Sequence, residues 1–553
     1  MLGGRRLRAS GSGGSAHLEG LRCRLGARPR SGDRGVWTPF TTRTRAQIGY
    51  PAARHGSDPR CRREPDAARR RGGGVSLIRS AEDVGRWDAE VDVLVVGLGC
   101  AGASAAWTAA DAGAETLVLE RAGGGGGTSA MSGGVVYLGG GTALQRACGF
   151  EDTPEEMLKY LMASCGPAPD EAKLRLYCEA SAEHYDWLVA RGVPFKPVFH
   201  YGCSGEPPND DGLVWSGSER AWPYCEIAVP APRGHVPQMD HQAGPLLMQK
   251  LIAAVEESAA RVATDHRCTA LVQRSGGAVL GAVARTSEGE RTIRARSAVI
   301  LTTGGFIQDD AMIAAHAPRV RQCSFRVGAE GDDGSGIRLG TAAGGATVHM
   351  NAVSISLPAT QPWGLKRGLL INAQGQRFIN EDAYYGRLGE YALLRHGGRA
   401  WLVVDDAVFE KPDYPREVAA VGDTPAELER ELGLPGDSLT ATLELYNRHA
   451  ERGADPVFHK ATDYVQPLVK PPFGAFDCTT EGSLYAAFTL GGLASDSHGR
   501  VLDPEGRPIP GLFAAGRATS GLSVGGYSSG LSLGDGSFFG RRAGACAAAG
   551  PSA

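Results

Sequence analysis

Three glycines at fixed spacing have the residue types and order that bind a dinucleotide pyrophosphate. They lie in Gly97-Leu98-Gly99-Cys100-Ala101-Gly102, and an acid, Glu120, follows with Arg121 beside it. The first glycine permits a tight turn, the second lets phosphates approach the backbone, and the third lets a helix pack closely. An acid about twenty residues later hydrogen-bonds the ribose of an adenosine without a 2′-phosphate. The predicted nucleotide site therefore contains Gly97, Gly99, Ala101, Gly102, Glu120 and Arg121.

The residues around these glycines predict the elements that position them. Residues 91–96 are mostly aliphatic and β-branched, which is typical of a parallel strand buried on both faces. Residues 103–112 are small or apolar, so they suit a helix packed on a sheet, with its N-terminal amides facing the phosphates. Gly113 ends the helix, and Thr116–Leu119 forms the next strand. The pattern predicts an α/β protein with a Rossmann-like domain.

A second glycine- and serine-rich loop follows soon after the acid. Residues 123–127 are all glycine, and Thr128-Ser129-Ala130-Met131-Ser132-Gly133-Gly134 comes next, whereas a nicotinamide domain would continue into another βαβ unit. The loop resembles that of the flavoprotein superfamily of fumarate reductases and 3-ketosteroid dehydrogenases. This resemblance implies that Thr128, Ser129, Ser132, Gly133 and Gly134 contact FAD. The loop holds no histidine for an 8α-histidyl link, so the FAD is expected to be non-covalent.

The resemblance extends over roughly residues 88–548. A strand at 298–301 ends in Thr302-Thr303-Gly304-Gly305, residues 509–517 read IPGLFAAGR, and residues 525–540 read GGYSSGLSLGDGSFFG. It implies a glutathione-reductase-type FAD-binding domain at 88–308 and 477–550, with an α+β cap, or catalytic, domain inserted at 309–476. The further FAD contacts that it implies are Ala270, Thr303, Gly304, Gly516, Gly530, Leu531, Ser532 and Leu533.

Composition and charge limit the partners. The net charge of the 553-residue chain is −3, but residues 1–75 alone carry 17 Arg, no Lys and 5 acids, so the remainder is acidic. An acidic body excludes nucleic acid and anionic membrane as expected partners. Residues 1–75 have no helical or strand period, and we expect a disordered extension or a start codon assigned too early, with a transit peptide as the alternative.

Other features predict a cytoplasmic protein without a metal site. No run of eighteen apolar residues is present, so no transmembrane helix is predicted. The twelve cysteines are scattered without CxxC pairs, which favours reduced thiols in the cytoplasm. Helices are predicted at 152–166, 171–191 and 242–261, and a strand pair at 267–271 and 279–285. The irregular stretch at 194–233 is expected to cover the site.

The substrate side separates the reactions known in this superfamily. Fumarate reductases bind a dicarboxylate with histidines and arginines, and the corresponding places here hold Phe488, Tyr527-Ser528 and Tyr384. The place of the proton-delivering arginine reads Asp405-Asp406-Ala407-Val408-Phe409. Phe, Tyr and Ser at these places suit a neutral, apolar ketone such as a steroid.

Tyr527-Ser528-Ser529, together with Tyr384, resembles the 3-ketosteroid Δ4-(5α)-dehydrogenases. The resemblance implies that Tyr527, Ser529 and Tyr384 are catalytic. Polarising the C3 carbonyl acidifies C4–H, a tyrosine removes that proton, and flavin N5 takes the hydride from C5. A tyrosine pKa near ~10 means that the base needs help from neighbouring hydroxyls. Two alternatives stay open: Tyr384, Tyr385 and Tyr527 could be ordinary interior aromatics, and Glu381 could either fix the cap or transfer protons.

The function that these residues favour is an FAD-dependent oxidoreductase of CH–CH groups that desaturates a saturated 3-ketosteroid at C4–C5 and passes electrons to a diffusible acceptor. The first alternative is a reductase of an unsaturated carbonyl or carboxylate, like fumarate and urocanate reductases. The second is a non-catalytic FAD-binding protein.

Overall fold

The computed structural model describes residues 76–204 and 206–550. The prediction for residues 1–75 lies outside the described residues. The described part is a mixed α/β structure with one large sheet and four smaller ones. Its strands are β1 Ile78–Ser80, β2 Ala89–Val96, β3 Thr116–Leu119, β4 Val136–Tyr137, β5 Phe199–Ser204, β6 Leu213–Trp215, β7 Gly234–His235, β8 Arg261–Ala263, β9 Arg267–Gln273, β10 Val279–Thr286, β11 Gly289–Leu301, β12 Phe325–Arg326, β13 Thr347–Val348, β14 Val353–Ser356, β15 Leu369–Asn372, β16 Ala400–Asp405, β17 Val418–Gly422, β18 Phe473–Asp477, β19 Ala486–Thr489, β20 Gly492–Leu493, β21 Arg500–Leu502 and β22 Pro508–Ala514.

The helices lie between these strands. They are α1 Cys100–Asp111, α2 Gly127–Ala130, α3 Ala143–Ala147, α4 Pro154–Ser164, α5 Glu171–Glu179, α6 Ser181–Ala190, α7 Tyr224–Ile227, α8 Gly244–Glu257, α9 Asp310–His316, α10 Ser335–Ala342, α11 Tyr385–Glu390, α12 Pro425–Leu432, α13 Ser438–Ala450 and α14 Leu531–Ala549. A π-helical turn, Tyr391–Arg395, continues α11. No helix in the described ranges is both long and apolar enough to span a membrane.

The large sheet brings the two ends of the chain together. Its order is β1-β9-β10-β11-β2-β3-β8, and β22 pairs with both β11 and β21. Strands β2, β3, β8, β11 and β22 pair in parallel with their neighbours in this group. Strand β11 pairs with β10 through its first half and with β22 through its second half, so the sheet branches there. The carboxyl ends of β2, β11 and β22 therefore meet at one edge, which is where α/β sheets bind ligands.

The middle of the chain has a sheet and a core of its own. Strands β15, β16, β18 and β17 form a four-stranded antiparallel sheet. Buried apolar residues between Phe306 and Ala487 form one cluster with Ala221, separate from the cluster that holds α1 and α14. The substrate-side Tyr384 and Tyr385 lie at the start of α11 in this middle region.

Several predicted boundaries were wrong for physical reasons. The helix predicted at 171–191 is two helices that break at Ala180, where the Ser181 hydroxyl turns to accept the Gly139 amide at 2.9 Å. The helix predicted at 242–261 ends at Glu257, because the chain then becomes a strand that pairs with β3. The stretch at 194–233, predicted as irregular, contains β5, β6 and α7. The strand predicted at 298–301 is the end of the longer strand β11, which begins with three exposed residues at 289–291.

Candidate active site

The glycine turn after β2 has the geometry predicted for it. Gly97 has φ +102, and a Cβ there would lie 2.7 Å from the Thr302 carbonyl oxygen. A Cβ on Gly102 would lie 1.9 Å from the Gly97 carbonyl oxygen, so only glycine lets α1 pack this closely. A Cβ on Gly99 would meet only the Ser129 hydroxyl, at 3.5 Å, among the described residues. Gly99 therefore faces open space where a pyrophosphate can approach, as the second glycine of such a turn should.

Glu120 and the second loop brace this turn. The Glu120 carboxylate accepts the amides of Leu98 and Ala122, each at 2.9 Å, and the side chain is 9% exposed. The Ser129 hydroxyl accepts the Cys100 amide at 3.2 Å, at the first residue of α1. The Thr128 hydroxyl donates to Asp332 at 2.8 Å. The loop thus lies beside the N-terminus of α1, where a phosphate is favoured.

The C-terminal helix closes the other side of the site. Helix α14 packs closely on α1, because a Cβ on Gly540 would lie 2.4 Å from the Ala101 carbonyl oxygen. Gly516 also lies against Ala101, with φ +64 and an added Cβ 3.0 Å from the alanine Cβ. Gly530, with φ +92, precedes α14 and packs on β4. These contacts place Gly516 against Ala101 of the glycine turn and Gly530 against Val135 and Tyr137.

A cavity that is partly open to solvent lies between these elements. It is lined by Gly516, Arg517, Ser523, Leu531, Ser532 and Asp535, with Leu490, Thr519, Gly521 and Leu522. Three buried polar atoms that line it, Arg517 Nη1, Ser523 Oγ and Asp535 Oδ1, have no hydrogen-bond partner within the described part of the chain. Burial raises the pKa of Asp535 to about 6. A hydroxylated, negatively charged dinucleotide fits this set, because it would supply the missing partners.

The remaining residues predicted to bind the nucleotide lie in different surroundings. Thr303 and Gly304 follow β11, and Gly304 packs on Asp332, whose carboxylate also pairs with Arg517. Arg121 pairs with Asp333 at 2.8 Å.

Serine and glycine residues of the second loop make local contacts. Ser132 Oγ donates to the Ser129 carbonyl at 2.7 Å, and Gly134 packs on the Ala243 backbone. A Cβ on Gly133 would lie 2.0 Å from Glu206 Oε1, so the stretch at 194–233 contributes a carboxylate next to this loop.

Ala270 is not brought to the glycine turn by any apolar contact. It lies in a small separate cluster with Val283 and Trp87, whereas Cys268 on the same strand packs in the cluster of Val96 and Leu119. The physical reason is a bulge in β9. Ala270 pairs with Val283 and Cys268 with the next residue, Ala284, so the register shifts by one residue and the two side chains enter different clusters.

A group of hydroxyls lies beside this cavity. Tyr385 Oη is 3.5 Å from Ser529 Oγ, and the rings of Tyr384 and Tyr385 are 4.2 Å apart between centroids. The Tyr527 ring stands edge-on to Phe488, with 5.0 Å between centroids. Tyr384 interacts with Tyr527, Ser529 and Tyr385, so the three predicted catalytic residues lie in one group and Tyr385 joins them.

The Tyr527 hydroxyl accepts the Ser532 amide at 3.1 Å, in the first turn of α14. Burial raises the pKa of Tyr527, and the hydrogen bonds from Ser532 and the charge of Arg517 oppose that rise. Burial also raises the pKa of Tyr384, well above its usual value. An amide donor at a helix N-terminus stabilises a phenolate, so Tyr527 is the tyrosine best placed to act as a base.

Two backbone amides at the start of α14 bond to the segment that precedes the helix. The Ser532 amide donates to the Tyr527 hydroxyl, and the Leu531 amide donates to the Ser528 carbonyl at 3.1 Å. These two amides therefore organise the catalytic segment.

A sequence model of the FAD binding domain family matches residues 92–533. This range contains the glycine turn, Tyr384, Tyr527 and Ser529, and every residue that lines the cavity except Asp535. The chain belongs to this FAD-binding family. The cofactor that fits the cavity is therefore FAD.

Relatives within the family include steroid dehydrogenases. The solved 3-ketosteroid Δ4-(5α)-dehydrogenase of Rhodococcus jostii is 46% identical, with a TM-score of 0.82, over 85% of this chain and 99% of that one. The 3-oxo-5α-steroid 4-dehydrogenase of Comamonas testosteroni is 30% identical, over 80% of this chain and 95% of its own length. A cytochrome-type fumarate reductase of Shewanella frigidimarina is 27% identical, over 82% of this chain and 76% of its own length.

Glu381 is part of a buried ion network. It is 0% exposed, pairs with Arg377 at 2.7 Å and with Lys460 at 2.9 Å, and accepts the Leu370 amide at 2.9 Å. Burial raises the pKa of Glu381, whereas Arg377 and Lys460 lower it. The net shift of this pKa is downward. These bonds favour the interpretation that Glu381 fixes the middle region.

Sequence reasoning missed four residues that the structure brings to the site. They are Tyr385, Arg517, Ser523 and Asp535. Asp535 had a readable signal, because it is a single acid in a helix of glycine, serine and apolar residues. Tyr385 had none, because the sequence does not show which of two adjacent tyrosines reaches Ser529.

Proposed function

We propose that this protein is an FAD-dependent oxidoreductase that removes two hydrogens from a saturated 3-ketosteroid and forms a C4–C5 double bond. The observation that carries the proposal is the group of Tyr527, Ser529 and Tyr385 hydroxyls beside the FAD cavity, with Phe488 next to Tyr527. Two relatives whose names specify this reaction support it.

The charges around the group also support a neutral substrate. Arg517 lies 5.7 Å from the Phe488 ring centroid, but its guanidinium pairs with Asp332. At the place of the proton-delivering arginine, Asp405 accepts the amides of Val408, Val469 and Lys470 and so holds the backbone. A dicarboxylate needs several cations, whereas Arg517 already forms an ion pair with Asp332 and Asp405 is itself an acid. An apolar ketone needs no cation.

The residues have distinct proposed roles. Tyr527, supported by the Ser532 amide, takes the C4 proton, while Ser529 with Tyr384 or Tyr385 orients the phenols and donates to the C3 carbonyl. The C5–H bond breaks as a hydride, and the C4–C5 double bond forms. When bound, FAD supplies the hydride acceptor at N5. Electrons then leave through a diffusible acceptor.

The finer organisation is part of the same proposal. Residues 88–308 and 477–550 form a glutathione-reductase-type FAD domain, and residues 309–476 form a cap that brings Tyr384 and Tyr385 to the flavin side. FAD is held without a covalent bond, because the loop at 123–134 contains no histidine.

Anaerobic titration tests the function. Addition of 5α-androstane-3,17-dione to the oxidised holoenzyme should bleach the flavin and yield the Δ4 ketone. If the steroid leaves the flavin oxidised and fumarate or urocanate reoxidises the reduced enzyme, the reductase alternative is correct. If neither compound changes the flavin, the protein is not an oxidoreductase of these substrates.

A further inference from the structure

One turn, residues 216–218, contacts both chain segments that carry the clustered hydroxyls, the segment with Ser529 and the segment with Tyr384. The Ser216 carbonyl accepts the Ser529 amide at 2.7 Å, and the Ser218 hydroxyl accepts the Tyr384 amide at 3.0 Å. Ser529 comes from the C-terminal segment and Tyr384 from the middle of the chain. The turn is therefore a shared support for two segments that have no sequence proximity.

Tyr160 links this turn to the C-terminal segment. Its hydroxyl accepts the Ser218 amide at 2.8 Å and lies 2.9 Å from Ser528 Oγ. Tyr160 and Ser528 are each 1% exposed, so these bonds are shielded from water. A Cβ on Gly217 would lie 2.2 Å from the Tyr160 hydroxyl and 2.4 Å from Ser528 Oγ, so only glycine fits at position 217.

A buried carboxylate holds the same turn. Glu219 accepts the Gly217 amide at 2.8 Å and, through its other oxygen, the Tyr137 hydroxyl at 3.3 Å. The Tyr137 amide in turn donates to the Gly530 carbonyl at 3.1 Å, just before α14. The turn is thus fixed relative to the helix whose amide binds Tyr527.

We propose that Tyr160 and Ser218 are positioning residues that hold Tyr384 and the Tyr527–Ser529 segment in one geometry, through the bonds Tyr384–Ser218–Tyr160–Ser528. This inference rests on the proposed function. The bonds from Tyr384 to Ser218 and from Ser218 to Tyr160 both use a backbone amide as donor, and an amide does not pass protons onward. The series therefore sets positions and carries no proton.

The test compares Tyr160→Phe and Ser218→Ala with Tyr485→Phe in the holoenzyme. Tyr485 is a matched control, because its buried hydroxyl donates to the Cys478 carbonyl at 2.8 Å within the middle region. Tyr160→Phe and Ser218→Ala should slow steroid-driven flavin reduction by on the order of tenfold or more, because small displacements of reacting groups are costly. FAD content, steroid affinity and melting should match Tyr485→Phe, and Ser218→Thr should restore the rate.

Two further results make the test decisive. The rate should keep the wild-type shape of its pH dependence, since all the phenols that meet substrate remain. Rates equal to that of Tyr485→Phe would overturn the proposal. Gly217→Ala should slow reduction in the same way, and if it fails to fold, Tyr160→Phe still decides, because it removes a single oxygen.

A melting experiment separates this inference from the proposed function. Tyr160→Phe and Ser528→Ala break the same bond, so the double variant should melt no lower than the less stable single variant. If the steroid does not reduce the wild-type flavin, the proposed function fails, and melting alone then decides whether the support exists. Fully additive losses would refute it.

Discussion

Tyr527→Phe removes one oxygen and keeps the ring against Phe488. That oxygen accepts the Ser532 amide at 3.1 Å. Losing the acceptor for a buried amide costs about 1–3 kcal/mol of stability. Losing the base costs far more in rate, and we expect flavin reduction by 5α-androstane-3,17-dione to slow by on the order of 10²-fold or more.

The pH dependence gives a second readout for the same variant. Because burial raises the pKa of Tyr527, the phenol is protonated at neutral pH and the wild-type rate should increase as the pH rises from 7 to 9. Tyr527→Phe should abolish this increase. Stopped-flow reduction across this pH range, with FAD content and steroid affinity measured in parallel, provides the comparison. A variant with a normal rate and a normal pH profile would refute the role of Tyr527 as base.

Four further outcomes are expected. Gly99→Val should fold but not bind FAD, since a Cβ added there meets only Ser129 Oγ among the described residues. Gly102→Ala should instead disrupt the turn itself. FAD fluorescence titration and circular dichroism distinguish the two outcomes. Heat or acid should release FAD from the purified protein, and flavin that stays with the precipitate would contradict a non-covalent cofactor. Tyr385→Phe should slow reduction, since the Tyr385 hydroxyl lies 3.5 Å from Ser529 Oγ; a wild-type rate in stopped flow would contradict this. Burial raises the pKa of the Asp535 carboxyl to about 6, above about 3.9 in the unfolded chain. The native apoprotein therefore binds this proton more tightly, and its free energy of unfolding should fall by on the order of 3 kcal/mol as the pH rises from about 4 to 6. Urea unfolding of Asp535→Asn should lack this loss of stability.

Local patterns predicted the geometry of the glycine turn. The turn at Gly97–Gly102 depends on contacts between residues close in sequence and on one neighbouring strand, so spacing alone predicts its shape. The first half of β11 was missed because it opens on the exposed residues Gly289, Glu290 and Arg291, which are also compatible with a surface loop. The break at Ala180 was missed because it depends on a contact with Gly139, which is distant in sequence.

The substrate half depends on contacts that no local pattern contains. The residue types of Tyr527, Ser529 and Tyr384 pointed to the chemistry, but the choice of Tyr385 as the neighbour of Ser529 requires the position of α11 relative to the C-terminal segment. The turn at 216–218 lies in a stretch predicted as irregular, and its role depends on partners from three distant parts of the chain. Long-range side-chain geometry of this kind follows from packing and is not encoded in spacing.

The branched strand β11 has a consequence for biosynthesis. Val299 on β11 pairs with Leu512 on β22. The ribosome must therefore add roughly 210 residues after β11 before β22 can cover the second half of this strand edge. At ~5–20 residues per second this takes roughly 10–40 s, during which an apolar strand edge is open to pairing with other chains. FAD cannot stabilise the nascent chain in that interval, because α14 has not yet emerged. Newly made protein should therefore be most prone to aggregation before release, and chains truncated before β22 should aggregate even when FAD is abundant.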